Sequence, residues 1–233
     1  MKKSFIVLTA LFFISFNSLS QNSINTNFMT AGGQKSGTYF GSNQMLDGGR
    51  FASVNSDINK SRIGIKGSPL LFNNFKNNGI LKLTSGKLYK IKNINVDLDN
   101  GEFVSEIAKD SIFIFNNIKM ANINSKVYTQ NENKIYEILE TGNRISLLKK
   151  ISKVLKRQVQ NKLTAETVKW KLTEDYFVKF NGNYEPINLK KKDFFRFIKD
   201  NKVKVLKEYI KSNRLVTKKE KDLIKTLKYY NNL

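Results

Sequence analysis

Two residue types that carry much of protein chemistry are missing from this chain, which has no cysteine and no histidine. Without cysteine there is no disulfide, no thiolate nucleophile and no attachment point for a cysteine-linked lipid. Without histidine the chain lacks the commonest general base and the commonest metal ligand. We therefore predict neither a zinc, haem or iron–sulfur cofactor nor a Ser-His-Asp or Cys-His catalytic site. The 233 residues are enough to bury a sizeable core without cross-links.

The oxygen-based chemistry that remains has little support in the sequence. Residues 97–102 (DLDNGE) resemble a calcium loop, but the glycine falls one position later than an EF-hand requires. Two carboxylate pairs, Glu137 with Glu140 and Glu174 with Asp175, flank predicted turns, where exposed acids are common. No glycine-rich phosphate loop is present. We predict a protein that is not an enzyme, without catalytic, cofactor-binding or metal-binding residues.

Acidic residues are scarce: 41 Lys and Arg stand against 19 Asp and Glu, which gives a formal net charge of +22. A polyanionic partner would explain this charge. A general compositional bias is the alternative, because the cations are scattered among acids along the whole chain. The cations within residues 147–159 are the predicted polyanion-binding residues: Lys149, Lys150, Lys153, Lys156 and Arg157. A helix would collect these side chains on one face, whereas a strand would divide them between two.

The first twenty residues predict export. Lys2 and Lys3 precede an apolar run over residues 5–14 and a short stretch of small and polar residues at 17–20, which is typical of a cleaved signal peptide (residues 1–20). The apolar run is shorter than the roughly 20 residues that a membrane-spanning helix needs. We predict a mature chain beginning at Gln21, without a transmembrane span, in the periplasm, at the periphery of the outer membrane or secreted. An exported protein would rarely meet nucleic acid.

Three further segments are predicted from composition and periodicity. Residues 21–62 are rich in Asn, Ser, Thr and Gly, which favours a flexible leader, or a segment that a partner orders through its aromatic residues. Residues 63–188 alternate short apolar runs with Asn and Gly turns, the pattern of antiparallel hairpins. Residues 189–233 change to helical spacing, with a capping box at Thr217 and Glu220 opening the last helix.

Some of these elements are predicted individually. Hairpin turns are expected at residues 84–87 and 181–182, and one strand over residues 88–96. Residues 112–115 are all apolar, which predicts a strand buried on both faces. The helical spacing predicts a helix over residues 190–199.

These segments predict an α+β fold. An antiparallel β-meander, forming a curved sheet or a partly closed barrel, would be followed by two or three short helices packed on it. Alternation within the predicted strands places the following residues inward: Leu81, Leu83, Ile114, Ile138, Leu147, Trp170, Val178 and Phe180.

A series of short segments, in their order along the chain, carries a family resemblance. They are residues 67–71 (GSPLL), 95–99 (NVDLD), 136–139 (YEIL) with Gly142, 146–148 (SLL), 175–177 (DYF) before 181–182 (NG), 222–224 (DLI) and 229–231 (YYN). From about residue 67 to its end, the chain resembles a family of exported Gram-negative proteins with a β-rich region, a short helical tail and no established activity. The resemblance implies architecture without function. It also implies that residues 145–157 are a strand, although their apolar spacing fits a helix.

Three functions follow as hypotheses. The first is a non-catalytic envelope protein that acts as a binding or structural module for a protein or another envelope component. The second is a binder of anionic envelope glycolipid or another polyanion through a basic surface. The third is a histidine-free hydrolase that uses carboxylates brought together by folding. The sequence leaves the oligomeric state open.

Overall fold

The computed structural model describes residues 49–53, 65–109, 111–158 and 167–233. The strands in this part of the chain are β1 (Gly49–Ser53), β2 (Ile65–Lys66), β3 (Gly79–Leu83), β4 (Leu88–Ile91), β5 (Ile94–Asp97), β6 (Glu102–Ala108), β7 (Ser111–Phe115), β8 (Ile118–Ile123), β9 (Lys126–Asn131), β10 (Lys134–Glu140), β11 (Ser146–Gln158), β12 (Thr167–Phe180) and β13 (Asn183–Ile187). Two 3₁₀ helices (Leu189–Lys191 and Asp193–Phe197) and two α-helices, α1 (Asp200–Ser212) and α2 (Glu220–Asn231), follow. The α+β prediction is confirmed.

The strands form two open sheets rather than one. The large sheet has the order β13-β12-β11-β10-β9-β8-β3-β4, and β2 pairs with β12. From β8 to β13 it is the predicted meander of consecutive antiparallel hairpins. The small sheet has the order β1-β7-β6-β5. Within the described ranges neither sheet closes into a barrel.

Asn and Gly residues in left-handed conformations make the tight turns. Asn181 (φ 49°) and Gly182 (φ 84°) connect β12 to β13, and Gly86 (φ 88°) turns β3 into β4, as the sequence predicts. The sequence also predicts one strand over residues 88–96, and this is wrong. Asn93 has φ 56°, which turns the chain between β4 and β5 and sends these strands into different sheets.

The first core lies between the two sheets. It includes Leu81 of β3, Ile94 of β5, Phe103 of β6 and Tyr128 of β9, each no more than 1% exposed. The prediction that residues 112–115 are buried on both faces is confirmed, because all four are buried. Burial of apolar side chains on both faces of the small sheet explains its continuous apolar sequences.

The C-terminal helices form a second core on the same face of the large sheet, beside the small sheet. Leu147 of β11 and Val178 of β12 pack there against Leu206 of α1 and Leu227 of α2, and all four are fully buried. The tail is therefore packed on the sheet as predicted. We call this face of the large sheet, which both cores cover, the inner face.

Some local predictions are wrong. Residues 190–199 fold mostly as 3₁₀ turns rather than one helix. The N-cap of α2 is Lys219, without a side-chain capping bond, so the predicted capping box does not form. Thr217 is buried, and the Glu220 carboxylate binds groups of the sheet instead.

Other predictions concern the N-terminal segment and the inward residues. Residues 49–53, within the predicted leader, form β1 and place Phe51 against Phe113, with ring centroids 5.0 Å apart. The predicted signal peptide and the rest of the leader, residues 21–48 and 54–62, lie outside the described residues. Of the predicted inward residues, five are buried, and Trp170 and Phe180 are only partly buried. The prediction for Ile138 is wrong, because the register pairs it with Leu148 on the face of the sheet opposite Leu147.

Candidate functional site

The five predicted polyanion-binding residues all lie on strand β11 (Ser146–Gln158). Because successive side chains of a strand point to opposite faces, the five predicted polyanion-binding residues are divided. The side chains of Lys149, Lys153 and Arg157 lie on the inner face, as that of Leu147 does. The side chains of Lys150 and Lys156 lie on the opposite face. The structure therefore does not bring the five residues together, and each face needs its own description.

A row of polar side chains crosses the inner face between the two cores. The strand register places Tyr128 opposite Glu137, Glu137 opposite Lys149, and Lys149 opposite Tyr176. These four residues come from β9, β10, β11 and β12, so the row runs perpendicular to the strands. Cross-strand neighbours on one face lie about 5 Å apart at Cβ, close enough for direct side-chain contact.

Lys149 is the centre of this row, and its side chain is only 8% exposed. Its ammonium donates a 2.9 Å hydrogen bond to Glu220 Oε2 at the start of α2. The same nitrogen lies 3.7 Å from Glu137 Oε2 and 3.9 Å from Glu174 Oε1. Three acids from β10, β12 and α2 therefore surround one buried cation, and we call this group the Lys149 cluster.

Further donors complete the Lys149 cluster. The Tyr176 hydroxyl donates a 2.7 Å hydrogen bond to Glu220 Oε2. Lys126 Nζ lies 3.0 Å from Glu137 Oε1. A buried charge is tolerable only when it is paired and hydrogen-bonded, and these contacts meet that condition.

The cluster shifts several pKa values. Burial opposes the ionisation of Glu220, but the hydrogen bonds from Lys149 and Tyr176 outweigh it and lower the pKa of that carboxyl. Burial likewise opposes the charge of Lys149, yet its hydrogen bond to Glu220 and the surrounding carboxylates raise its pKa. Burial, and then the hydrogen bond to Glu220, raises the pKa of Tyr176. The cluster therefore keeps its cation and Glu220 ionised and its tyrosine neutral.

The carboxylate pairs suggested by the sequence are redistributed by the fold. Glu137 and Glu174 meet at Lys149, together with Glu220. Asp175 points to the opposite face, where its carboxylate lies 3.0 Å from Lys150 Nζ. This arrangement attaches α2 to the sheet, because Glu220 belongs to α2 and the other members of the cluster belong to strands.

The remaining cations of β11 have different environments. Lys153 donates hydrogen bonds to the backbone carbonyls of Ser68, at 3.0 Å, and Leu70, and burial lowers its pKa. It therefore ties the segment after β2 to the inner face. Lys156 and Arg157 are exposed near the end of the strand.

The opposite face of the large sheet carries an aromatic cluster. The Tyr136 ring lies 5.5 Å from the Phe177 ring and 4.9 Å from the Tyr184 ring. Lys150 Nζ lies 5.6 Å from the Phe177 centroid, and Lys179 Nζ lies 5.3 Å from the Tyr184 centroid, both within cation–π range. In the described part of the chain, these side chains belong to neither core. We call this surface the open face.

The open face is strongly basic. The strand registers place eight lysines on it, each exposed or half-buried, from β3, β4, β10, β11 and β12: Lys82, Lys90, Lys134, Lys150, Lys156, Lys169, Lys171 and Lys179. Asp175 offsets part of this charge through its pair with Lys150. A surface with one dominant sign of charge attracts and retains ligands of the opposite sign.

Two adjoining grooves lie on the open face and share Tyr184. One, of about 290 Å³, is lined by Tyr136, Lys150 and Phe177. The other, of about 400 Å³, is lined by Thr129, Leu148 and Lys179. Concave surfaces that combine aromatic side chains with a few polar groups are typical of binding sites.

Of the eight lysines, only Lys150 and Lys156 are among the predicted polyanion-binding residues. Lys179 and Tyr184 flank the predicted turn at residues 181–182, and they are register partners across it. Strict alternation along β12 would have placed Lys179 beside Phe177 on the face opposite Val178. The usable signal was therefore strand parity and not cation density.

The loop resembling a calcium site has a structural role. Asp97 is 1% exposed, and its Oδ1 accepts hydrogen bonds from the backbone amides of Asp99 and Asn100. Its Oδ2 accepts a 2.9 Å bond from the Asn100 side chain. These bonds stabilise the turn that precedes β6. The last residue of this turn is Gly101, which has φ 69°.

Comparison with known protein families, curated proteins and solved structures finds no match to this chain.

The described segments include no helix of the length and hydropathy needed to cross a membrane.

Proposed function

We propose that this protein is an exported, non-catalytic binding module of the cell envelope, and that its open face binds the anionic sugar portion of an envelope polysaccharide or glycolipid. The observation that carries the proposal is the combination of eight lysines with the ring cluster of Tyr136, Phe177 and Tyr184 on one exposed sheet face. The signal-like N-terminus supports the cellular location.

The geometry suits a chain of charged sugar rings. Lys150 and Lys179 lie over the half-buried rings of Phe177 and Tyr184, so one ligand would meet cations and aromatic rings side by side. Ammonium groups bind carboxylate, sulfate or phosphate through charge-assisted hydrogen bonds. The grooves on either side of Tyr184 give such a chain a path across β10 to β13.

The acids of the Lys149 cluster support the non-catalytic part of the proposal. A carboxylic general acid needs a raised pKa, whereas the pKa of Glu220 is lowered. The cation that Glu137 and Glu220 share also holds them in a structural contact between α2 and the sheet. Turnover of a glycoside substrate by the purified protein, abolished by a single Glu→Gln change, would contradict this part.

The binding proposal is tested with a galacturonate hexamer as ligand and a neutral glucose hexamer for comparison. We expect only the charged oligosaccharide to bind. Its affinity should fall as the salt concentration rises, because salt screens the attraction between its carboxylates and the lysines. The double variant K150E/K179E should weaken binding by about tenfold or more, since each exposed charge pair contributes roughly 0.5–1 kcal/mol. Isothermal titration calorimetry measures both effects.

A matched control removes the same charge elsewhere. K225E/K228E changes two exposed lysines of α2 and alters the net charge equally. It should reduce the affinity far less than K150E/K179E does. Equal losses for the two variants would show that only net charge matters, and would contradict a site on the open face.

A further inference from the structure

A groove of about 850 Å³ runs along helix α1 on the C-terminal tail, separate from the open face. Its apolar lining comes from Phe195 of the second 3₁₀ helix, Val203 and Ile210 of α1, and Leu215 after α1. All four side chains are half-buried, so the groove exposes part of each to solvent. Beneath them, Leu206 is fully buried in the second core, which fixes the position of α1 on the sheet.

The rim of this groove is cationic. Lys192, Lys207, Lys211 and Arg214 line it, and all four are exposed. Lys207 and Lys211 lie one turn apart on the same side of α1, and Arg214 follows two residues after the helix ends at Ser212. The ion pairs found within the described residues involve none of the four. Glu208 is the neighbouring acid on α1, and it does not line the groove.

The rim and the lining are also in contact. Lys207 Nζ lies 5.8 Å from the centroid of the Phe195 ring, so a positive charge stands directly beside the apolar lining. Leu215 donates a 2.9 Å backbone hydrogen bond to the Ile210 carbonyl, which folds the chain back at the end of α1. This fold brings Arg214 and Leu215 to the same end of the groove. An apolar surface bordered by cations matches an amphiphile with a negative head group.

We propose that this groove binds an anionic phospholipid at a membrane surface. The phosphate lies among Lys207, Lys211 and Arg214, and the adjoining apolar part of the lipid contacts Phe195, Val203 and Leu215. Charge complementarity selects the lipid: four cations line the rim and no acid does. The site attaches the protein peripherally to a bilayer and is independent of the sugar-binding proposal for the open face.

The test is co-sedimentation with vesicles of phosphatidylcholine containing 30% phosphatidylglycerol, compared with phosphatidylcholine alone. We expect the protein to bind the anionic vesicles only. The variant K207E/R214E should lower the partition coefficient by about thirtyfold, because each basic residue near an anionic surface contributes roughly 1 kcal/mol. K225E/K228E, with the same change of charge on α2, should lower it by no more than about threefold. Circular dichroism confirms that each variant is folded.

A second measurement tests whether the apolar lining is used. In a Trp170→Phe background, Leu215→Trp places the only tryptophan of the chain in the groove. We expect its fluorescence to shift to the blue with anionic vesicles and to be quenched by lipids brominated on the acyl chain. Binding without quenching would mean that only the head group is contacted, and would overturn the groove as the site.

Other outcomes also decide the proposal. Equal losses of vesicle binding for K207E/R214E and K225E/K228E would show that only net charge matters and would overturn the proposal. The absence of binding to anionic vesicles would also overturn it. The open-face variant K150E/K179E should retain vesicle binding through the groove, whereas K207E/R214E should retain binding of the galacturonate hexamer. The two proposals can therefore fail separately.

Discussion

At the scale of single residues, Lys149 links β11 to the start of α2. Its ammonium faces Glu137, Glu174 and Glu220 in a setting where its side chain is 8% exposed. We expect Lys149→Met to lower the free energy of unfolding by about 2 kcal/mol, because Glu220 loses a charge-assisted hydrogen bond and Glu137 keeps only Lys126 as its cation. Urea denaturation at pH 7 measures this change.

The matched control is the next residue. Lys150→Met removes a lysine from the same strand, but its ion-pair partner Asp175 has a side chain that is 57% exposed. That variant should lose no more than about 0.5–1 kcal/mol. A loss as small for Lys149→Met would show that the Lys149 cluster contributes little to stability.

The ionisation of the Glu220 carboxyl makes the stability of the protein depend on pH. Its pKa is lower in the folded protein than in the unfolded chain, so its contribution is complete above the unfolded value of about 4.3 and is lost as the pH falls through the folded value. We expect Glu220→Gln to destabilise the protein at pH 7, and the difference from the natural protein to shrink between pH 5 and about 3. A difference that stays constant over this window, in urea denaturation, would contradict the assignment.

At the scale of elements, the end of α2 is fastened to the turn between β10 and β11. Asn231 accepts a 3.2 Å hydrogen bond from the Ile145 amide and donates a 2.9 Å bond to the Ile145 carbonyl. Arg144 Nη1 donates a 2.6 Å bond to the Tyr230 carbonyl. A Cβ at Gly142 would overlap with the Asn231 side chain, so the turn needs glycine there because of the helix.

This fastening predicts non-additive mutations. Gly142→Ala should displace Asn231 and cost about 1–2 kcal/mol, similar to the loss of two hydrogen bonds in Asn231→Ala. Once Asn231 is truncated, Gly142→Ala should cost little more, so the double variant should be more stable than the sum of the single changes implies. Thermal unfolding of the four proteins completes the cycle. Strict additivity would contradict the contact.

At the scale of the whole molecule, one large sheet uses its two faces differently. The inner face carries both cores, with the Lys149 cluster between them, and the open face presents lysines and aromatic rings. A chain with a net charge of +22 therefore uses a few buried cations for structure and exposes many others. We propose that the exposed cations serve binding at two sites, the open face for sugars and the α1 groove for lipid.

Much of this architecture could be predicted because its determinants are local. The turns at Asn181-Gly182 and Gly86 depend on residues that adopt positive φ, and they were found from sequence alone. The partner of Lys149 could not be found in this way, since Glu220 lies 71 residues further along the chain. The apolar spacing of residues 147–159 fits a helix, yet pairing with β10 and β12 makes residues 147–158 a strand, because tertiary context overrides local periodicity.

NMR titration of the labelled protein with a galacturonate hexamer shows whether the open face binds an anionic sugar chain. We expect the largest chemical-shift changes at Lys150, Phe177, Lys179 and Tyr184, and no change in these signals with a neutral glucose hexamer. Changes of similar size with the neutral hexamer, or changes confined to residues outside the open face, would contradict this expectation.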